Sequence, residues 1–216
     1  MFFFINNKTL KKYKSYREVG KEINNKIIDR YVDREIISLS GKFLGLIKKD
    51  IFIFDNESDT FTLMDFSINE CRINGKTAVE LYKEKVRVDN DIENEILDGL
   101  IKSYTSLFKI TNVKRSEKKL ILVDVLKNND NPIEIIDIGF SQSAAIGLLF
   151  FTRLVPLADF NITGGFGFAF KEGSEENLKK EYKQIVKRVK SSDESIKRYV
   201  AFFKLYKRHG METRFL

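Results

Sequence analysis

Polar and apolar positions along this chain follow two periods, and the switch between them divides it. Over the first fifty residues the period is three to four. Leu10, Tyr13, Tyr16, Val19, Ile23, Ile27 and Tyr31 recur at that spacing with Lys and Glu between them, as a helix burying one stripe requires. A second apolar set follows in "REIISLSGKFLGLIKK". Its Gly41 and Gly45 weaken a long regular helix or admit a close neighbour. "IFIFDNESDTFTLMDF" has two aromatic and β-branched runs around the polar "DNESD", which predicts a β-hairpin near residues 51–66. Thr77 and Glu80 stand at capping-box spacing after the turn "NGK", so a short helix starts there. In "DIENEILDGLIKSYTSLF", Ile92, Ile96, Leu97, Leu100, Ile101 and Tyr104 share one face and acids come early, the mark of an amphipathic helix.

From Leu107 the period falls to two. "LFKITNV", "KLILVDVL", "IEIIDIG", "GLLFFTRLVPL" and "FNITGGFGFAF" read as five strands, separated by turn clusters such as "KRSEK" and "KNNDNP". Five short strands in so little chain predict a small, strongly curved antiparallel sheet or barrel. After Gly173 the helical period returns. The expected fold class is α+β: a mainly helical region over 1–105, a five-stranded antiparallel β unit over 106–172, and a basic, amphipathic C-terminal helix or helical hairpin over 173–216 that packs on the body.

Several of these segments carry a resemblance. "FTLMDFSINE", "NGKTAVELY", "YTSLFKI", "LILVDVL", "LFFTRLVPL" and "TGGFGF" resemble a loosely defined group of uncharacterised bacterial proteins, over about residues 60–170. Some members of that group carry a C-terminal Cys- and His-rich SEC-C zinc segment, which this sequence lacks. The resemblance implies an architecture and no mechanism. It favours a bacterial, non-secreted adaptor or a module associated with nucleic acid.

Composition narrows the chemistry. The chain has 216 residues, 43% of them apolar and 32% charged, enough to bury a core and stay in solution. Cys71 and His209 are the single Cys and the single His, so an intramolecular disulfide is excluded and a Cys/His zinc site lacks ligands. "MFFFI" is short for a signal peptide, and no run reaches the ~20 apolar residues of a membrane span. A cytoplasmic protein without cofactor is the expectation.

No catalytic residue is assigned. His209 precedes Gly210 at an expected helix end, where a cation is favourable. "NGKT" at 74–77 lacks the upstream glycine of a P-loop and reads as a turn and cap. The glycines of "TGGFGF" are too close for a dinucleotide fingerprint. In extended chain Phe166, Phe168 and Phe170 point one way, either as core or as an aromatic platform for stacking bases. Asp124, Glu134 and Asp137 suggest a metal-dependent nuclease only if they converge. Arg153, inside an apolar run, reads as an edge guard, a buried ion-pair partner or a ligand contact.

Charge gives the strongest signal. Residues 179–216 hold twelve Lys/Arg and four Asp/Glu, a net of +8, against 26 basic and 27 acidic residues elsewhere. At helical spacing Leu178, Tyr182, Ile185, Val189, Ile196, Val200 and Phe203 form an apolar stripe. Lys180, Lys183, Lys187, Lys190, Lys197, Arg198, Lys204 and Arg208 fall mostly opposite. Ser191 and Glu194 have capping-box spacing and mark a possible second helix start. The basic face reads as solvated surface, as a phosphate-binding face, or as a contact for an acidic partner. A non-enzymatic module binding nucleic acid is the favoured function. A protein-interaction or scaffold module is the alternative, and a carboxylate- or metal-dependent enzyme is third.

Overall fold

The first apolar stripe forms α1 (Asn7–Tyr31), which buries Tyr13, Tyr16, Ile23 and Ile27. The structure, a computed structural model, describes residues 7–127 and 129–211, so "MFFFI" lies outside the described residues. Asp33 opens α2 (Arg34–Leu44) by accepting from the amides of Glu35 and Ile36, and Gly45 closes it at φ 74°. A two-rung hairpin follows, β1 (Ile47–Lys48) and β2 (Ile51–Phe52).

The hairpin expected near 51–66 is not there. β2 ends at Phe52, and the second run is a helix, α3 (Glu57–Asn69). Its polar start is a helix start: Glu57 and Asp59 lie in the first turn, and the Asp59 carboxylate accepts from the Asp55 amide. Burial of Thr62, Leu63 and Phe66 follows the helical period, while Phe61 is 67% exposed where a strand alternation would pair it with Leu63.

α4 (Ala78–Lys85) begins with the expected capping box between Thr77 and Glu80. α5 (Asp91–Lys102) buries Ile96, Leu97 and Gly99. It leads directly into β3 (Tyr104–Lys114), which is followed by β4 (Lys119–Asp124) and β5 (Asn129–Ile136). A short α6 (Phe140–Ser143) then precedes β6 (Leu149–Pro156), β7 (Asn161–Thr163) and β8 (Phe168–Phe170).

β3 is shared. Its C-terminal half pairs with β4 from Phe108↔Asp124 to Lys114↔Lys119, with an irregularity between Ile110 and Asn112. Its N-terminal half pairs with β6 from Tyr104↔Leu154 to Lys109↔Leu149. The ring therefore closes in the order β3-β4-β5-β7-β6-β3. That order, with a short helix between third and fourth strands, is the connectivity of the OB-type Greek-key barrel. Phe108, Ile110, Leu120, Leu122, Ile135 and Leu154 fill its interior.

Two details correct the expected β unit. β5 and β7 run parallel at Ile135↔Asn161, so the barrel is not wholly antiparallel. "FNITGGFGFAF" also divides: Gly164 and Gly165 (φ 91°) end β7, and β8 pairs with β6 outside the ring.

The C-terminal segment is a helical hairpin. α7 (Glu175–Ile185) tightens into a 3-10 turn over Val186–Arg188, and α8 (Glu194–His209) starts afresh. Asp193, rather than Ser191, caps α8 by accepting from the amides of Ser195 and Ile196. α8 is the most enclosed part of the pair: Tyr199, Val200, Ala201, Phe202, Phe203 and Leu205 are all buried. They meet Phe66 of α3, Phe151 of the barrel's outer face and Phe168 of β8 in the largest apolar cluster. No helix among the described residues is long and apolar enough to cross a membrane.

Candidate nucleic-acid interface

α8 is fixed to α3 at both ends and in the middle. At one end Lys207 Nζ lies 2.6 Å from Asp59 Oδ2 and 2.8 Å from Asp55 Oδ2. At the other, Ser195 Oγ donates to Glu70 and Arg72 Nε lies 2.9 Å from Asp193 Oδ2. Between them the Tyr199 hydroxyl donates to Thr62 O. Burial works to lower the Lys207 pKa, but the Asp55 and Asp59 carboxylates outweigh it and hold it raised.

α7 stands outside this platform. Tyr182 stacks on Phe202 at 5.0 Å, and Glu181 reaches the end of α8, 3.6 Å from Arg208 and 2.9 Å from His209 Nε2. The opposite side of α7 and its 3-10 extension carries Lys180, Lys183 and Lys187, with Lys190 just beyond, and all four are exposed. Among the described residues none of these four forms an ion pair. They recur at three, four and three residues, so the three on α7 and its 3-10 extension form a ridge about 10 Å long.

The other expected cations behave differently. Lys197 pairs with Glu194 at 2.7 Å, and Arg208 pairs with Glu181. Arg198 turns inward, donating to Thr105 Oγ1 and Ser195 Oγ. Lys204 is half-buried on α8, without an ion pair among the described residues. The eight-cation face expected of one helix is thus reduced to four residues, because the break at Val189 turns α8 back against the body. Arg188, which the sequence reading passed over, is exposed in the 3-10 turn beside Lys187.

Phe166, Phe168 and Phe170 are no stacking platform. They are 7%, 2% and 0% exposed. Phe166 stacks on Tyr199, Phe168 on Tyr206 and Phe151, and Phe170 meets Phe202 edge-on. The small face of the same run admits a ring: a Cβ on Gly167 would lie 2.0 Å from Phe150 Cζ.

The three carboxylates weighed as a metal site stay apart. Asp124 Oδ1 accepts from Ser106 Oγ and the Leu126 and Lys127 amides, a turn inside the barrel mouth. Burial, with Asp124 beside it, pushes the Tyr104 phenol up to about 12. Glu134 lies on the barrel's outside with Lys114 and Lys119. Asp137 meets Arg17 and Thr163. Among the described residues no group of three His, Cys, Asp or Glu is placed to hold a metal ion. Arg153 is a buried ion-pair partner, 2.7 Å from Glu70 and 3.1 Å from Asp65. Burial opposes its charge, yet those two carboxylates hold its pKa raised.

No curated protein and no solved structure matches the chain. A model described as a family of unknown function, DUF7986, matches residues 7–216, and the chain belongs to that family.

Proposed function

We propose that this protein is a non-enzymatic binding module that grips the phosphates of nucleic acid with the ridge Lys180, Lys183, Lys187 and Lys190. The observation that carries this reading is selective pairing: Lys179, Lys197, Lys207 and Arg208 are each held by a carboxylate, and the ridge lysines are not. Exposed cations in a line release counterions when they meet a polyanion, which solvated, already paired lysines cannot do. The barrel adds support by fold analogy alone. Barrels of this connectivity bind oligonucleotides on their second and third strands. The matching face here, on β4 and β5, has Lys114 and Lys119 closed onto Glu134, unlike the unpaired lysines of the ridge.

The test is fluorescence anisotropy with labelled single- and double-stranded RNA and DNA across a salt titration. Three to four neutralised phosphates give a slope of log K against log salt of about −2 to −4. Changing all four ridge lysines to Glu removes binding, while Lys197→Glu, already paired, changes it little. Binding that ignores salt, or survives the fourfold change, sinks the proposal.

A protein-interaction module is the second reading. It is favoured by Ile51 and Phe61, 66% and 67% exposed, with Phe54 at 41% beside them in sequence.

A further inference from the structure

A cleft of about 280 Å³ lies between α1, α5 and the β6–β7 edge of the barrel. It is remote from the basic ridge along β6. Val155, near the strand's end, lines it, whereas Leu149, the strand's first residue, lines a separate depression with Glu175 and Glu176 of α7. Its apolar surface comes from Ile96, Val155 and Ile162, and its polar side from Lys21 and Asn24 of α1. None of the described residues lining it is acidic.

Two features distinguish it from an ordinary surface depression. The first is Gly20, which lines it from the middle of a 25-residue helix. Glycine is the poorest helix former after proline, so a mid-helix glycine calls for a reason. Packing does not supply one: a Cβ here would meet only Ile96 Cγ2, at 4.0 Å, an ordinary contact. What the missing side chain does is leave the cleft open.

The second is the division of its charges. Arg17 is tied down, donating to Thr163 O at 2.8 Å, to Thr163 Oγ1 at 3.1 Å and to Asp137 at 3.4 Å. The nearby Glu95 is likewise engaged, by the Tyr16 hydroxyl and the Ala158 amide. Lys21 is exposed and forms no ion pair among the described residues, so an uncommitted cation stands beside an apolar floor.

We propose that this cleft binds a small organic anion. Its apolar body rests on Ile96, Val155 and Ile162, and its carboxylate or phosphate lies at Lys21. The volume is just under the usual range for ligand pockets, which limits the occupant to a molecule of about one ring.

The test titrates benzoate, phenyl phosphate, benzyl alcohol and benzylammonium into the ¹⁵N-labelled full chain and follows amide shifts. Either anion should move the amides of Gly20, Lys21 and Gly164 at millimolar concentration. Preference for benzoate identifies a carboxylate ligand, and preference for phenyl phosphate a phosphate. Gly20→Leu, which fills the cleft, should weaken the binding by about tenfold, and Lys21→Gln should erase the preference for anions. Lys187→Gln, on the basic ridge, should change nothing. Gly20→Ala serves as the milder filling if the Leu variant does not fold. Equal shifts with benzyl alcohol or benzylammonium overturn the proposal, as do shifts away from these amides or binding that Gly20→Leu or Gly20→Ala leaves intact. Because the ridge and cleft variants are separate, failure here leaves the nucleic-acid reading standing, and the reverse.

Discussion

Arg153 Nη2 lies 2.7 Å from Glu70 Oε1, and each side chain is 3% exposed. Asp65 completes the group at 3.1 Å, and Ser103 Oγ accepts from the same guanidinium. One guanidinium thereby joins the outer face of β6 to α3 and, through Ser195, to α8. A buried pair of this kind adds little over an apolar substitute, but breaking it leaves uncompensated charge. Arg153→Leu is therefore expected to cost about 3–5 kcal/mol, since two carboxylates lose their counter-ion. Urea unfolding of the variant measures it, and a loss below about 1 kcal/mol would show the network relaxes to solvent.

Acid should loosen α8 from its first turn. Burial raises the pKa of Asp193 and of Glu80, but hydrogen bonds and the Arg72 guanidinium outweigh it and hold both lowered. A carboxylate lowered in the folded state contributes stability above its unfolded pKa, and that stability disappears as pH falls through the folded value. Amide exchange at Ser195 and Ile196 should rise below about pH 4 before the global transition. Arg72→Met should flatten that dependence.

Two mid-helix glycines should respond oppositely to alanine. By helix propensity both gain about 1 kcal/mol. At Gly99, however, a Cβ would lie 2.7 Å from Pro156 O, 3.0 Å from Leu157 Cδ2 and 3.1 Å from Val155 Cγ1, and a backbone carbonyl cannot swing aside. Gly99→Ala should destabilise by about 1–3 kcal/mol, and Gly20→Ala should raise the melting temperature. A thermal scan of both variants decides whether packing or propensity dominates at each.

Lys207 tests the other end of α8. Asp59 is 0% exposed and the lysine side chain 25%. Lys207→Met should cost about 1–3 kcal/mol, less than a fully buried pair, because the lysine is partly solvated. The raised pKa places this contribution below the unfolded lysine value, to be lost as pH rises through the folded one. The deficit of the variant in urea unfolding should therefore shrink at strongly alkaline pH.

Local signals were legible in the sequence, and long-range ones were not. The Tyr13–Tyr16–Ile23–Ile27 stripe and the Thr77–Glu80 box involve residues a few positions apart, and α1 and α4 follow from them. The helix α3 departs from the expected strand because "DNESD" between two aromatic and β-branched runs has the composition of a turn, and the same acids, Glu57 and Asp59, equally suit the first turn of a helix. The closure of β3 on β6 joins Tyr104 to Leu154, and no periodicity encodes a partner fifty residues away. On the basic face, the spacing puts Lys180, Lys183 and Lys187 opposite the apolar stripe, and all three are exposed. The inward turn of Arg198 and the pairing of Arg208 depend on how α7 and α8 fold on each other. The cleft was invisible because its residues come from α1, α5 and β6–β7.

The dependence of the barrel's outer face on α8 has a consequence for folding order. Leu107, Phe151 and Phe168 belong to strands that are made well before Tyr199 and Phe202, the rings that cover them. During synthesis the ring of strands can close while its aromatic outside still faces water. For the seconds it takes the ribosome to add the α7–α8 hairpin, the nascent chain carries an uncovered sticky surface. Chaperone capture and aggregation should therefore concentrate in that interval, and substitutions that slow the docking of α8 should reduce yield more than they reduce the stability of the finished protein.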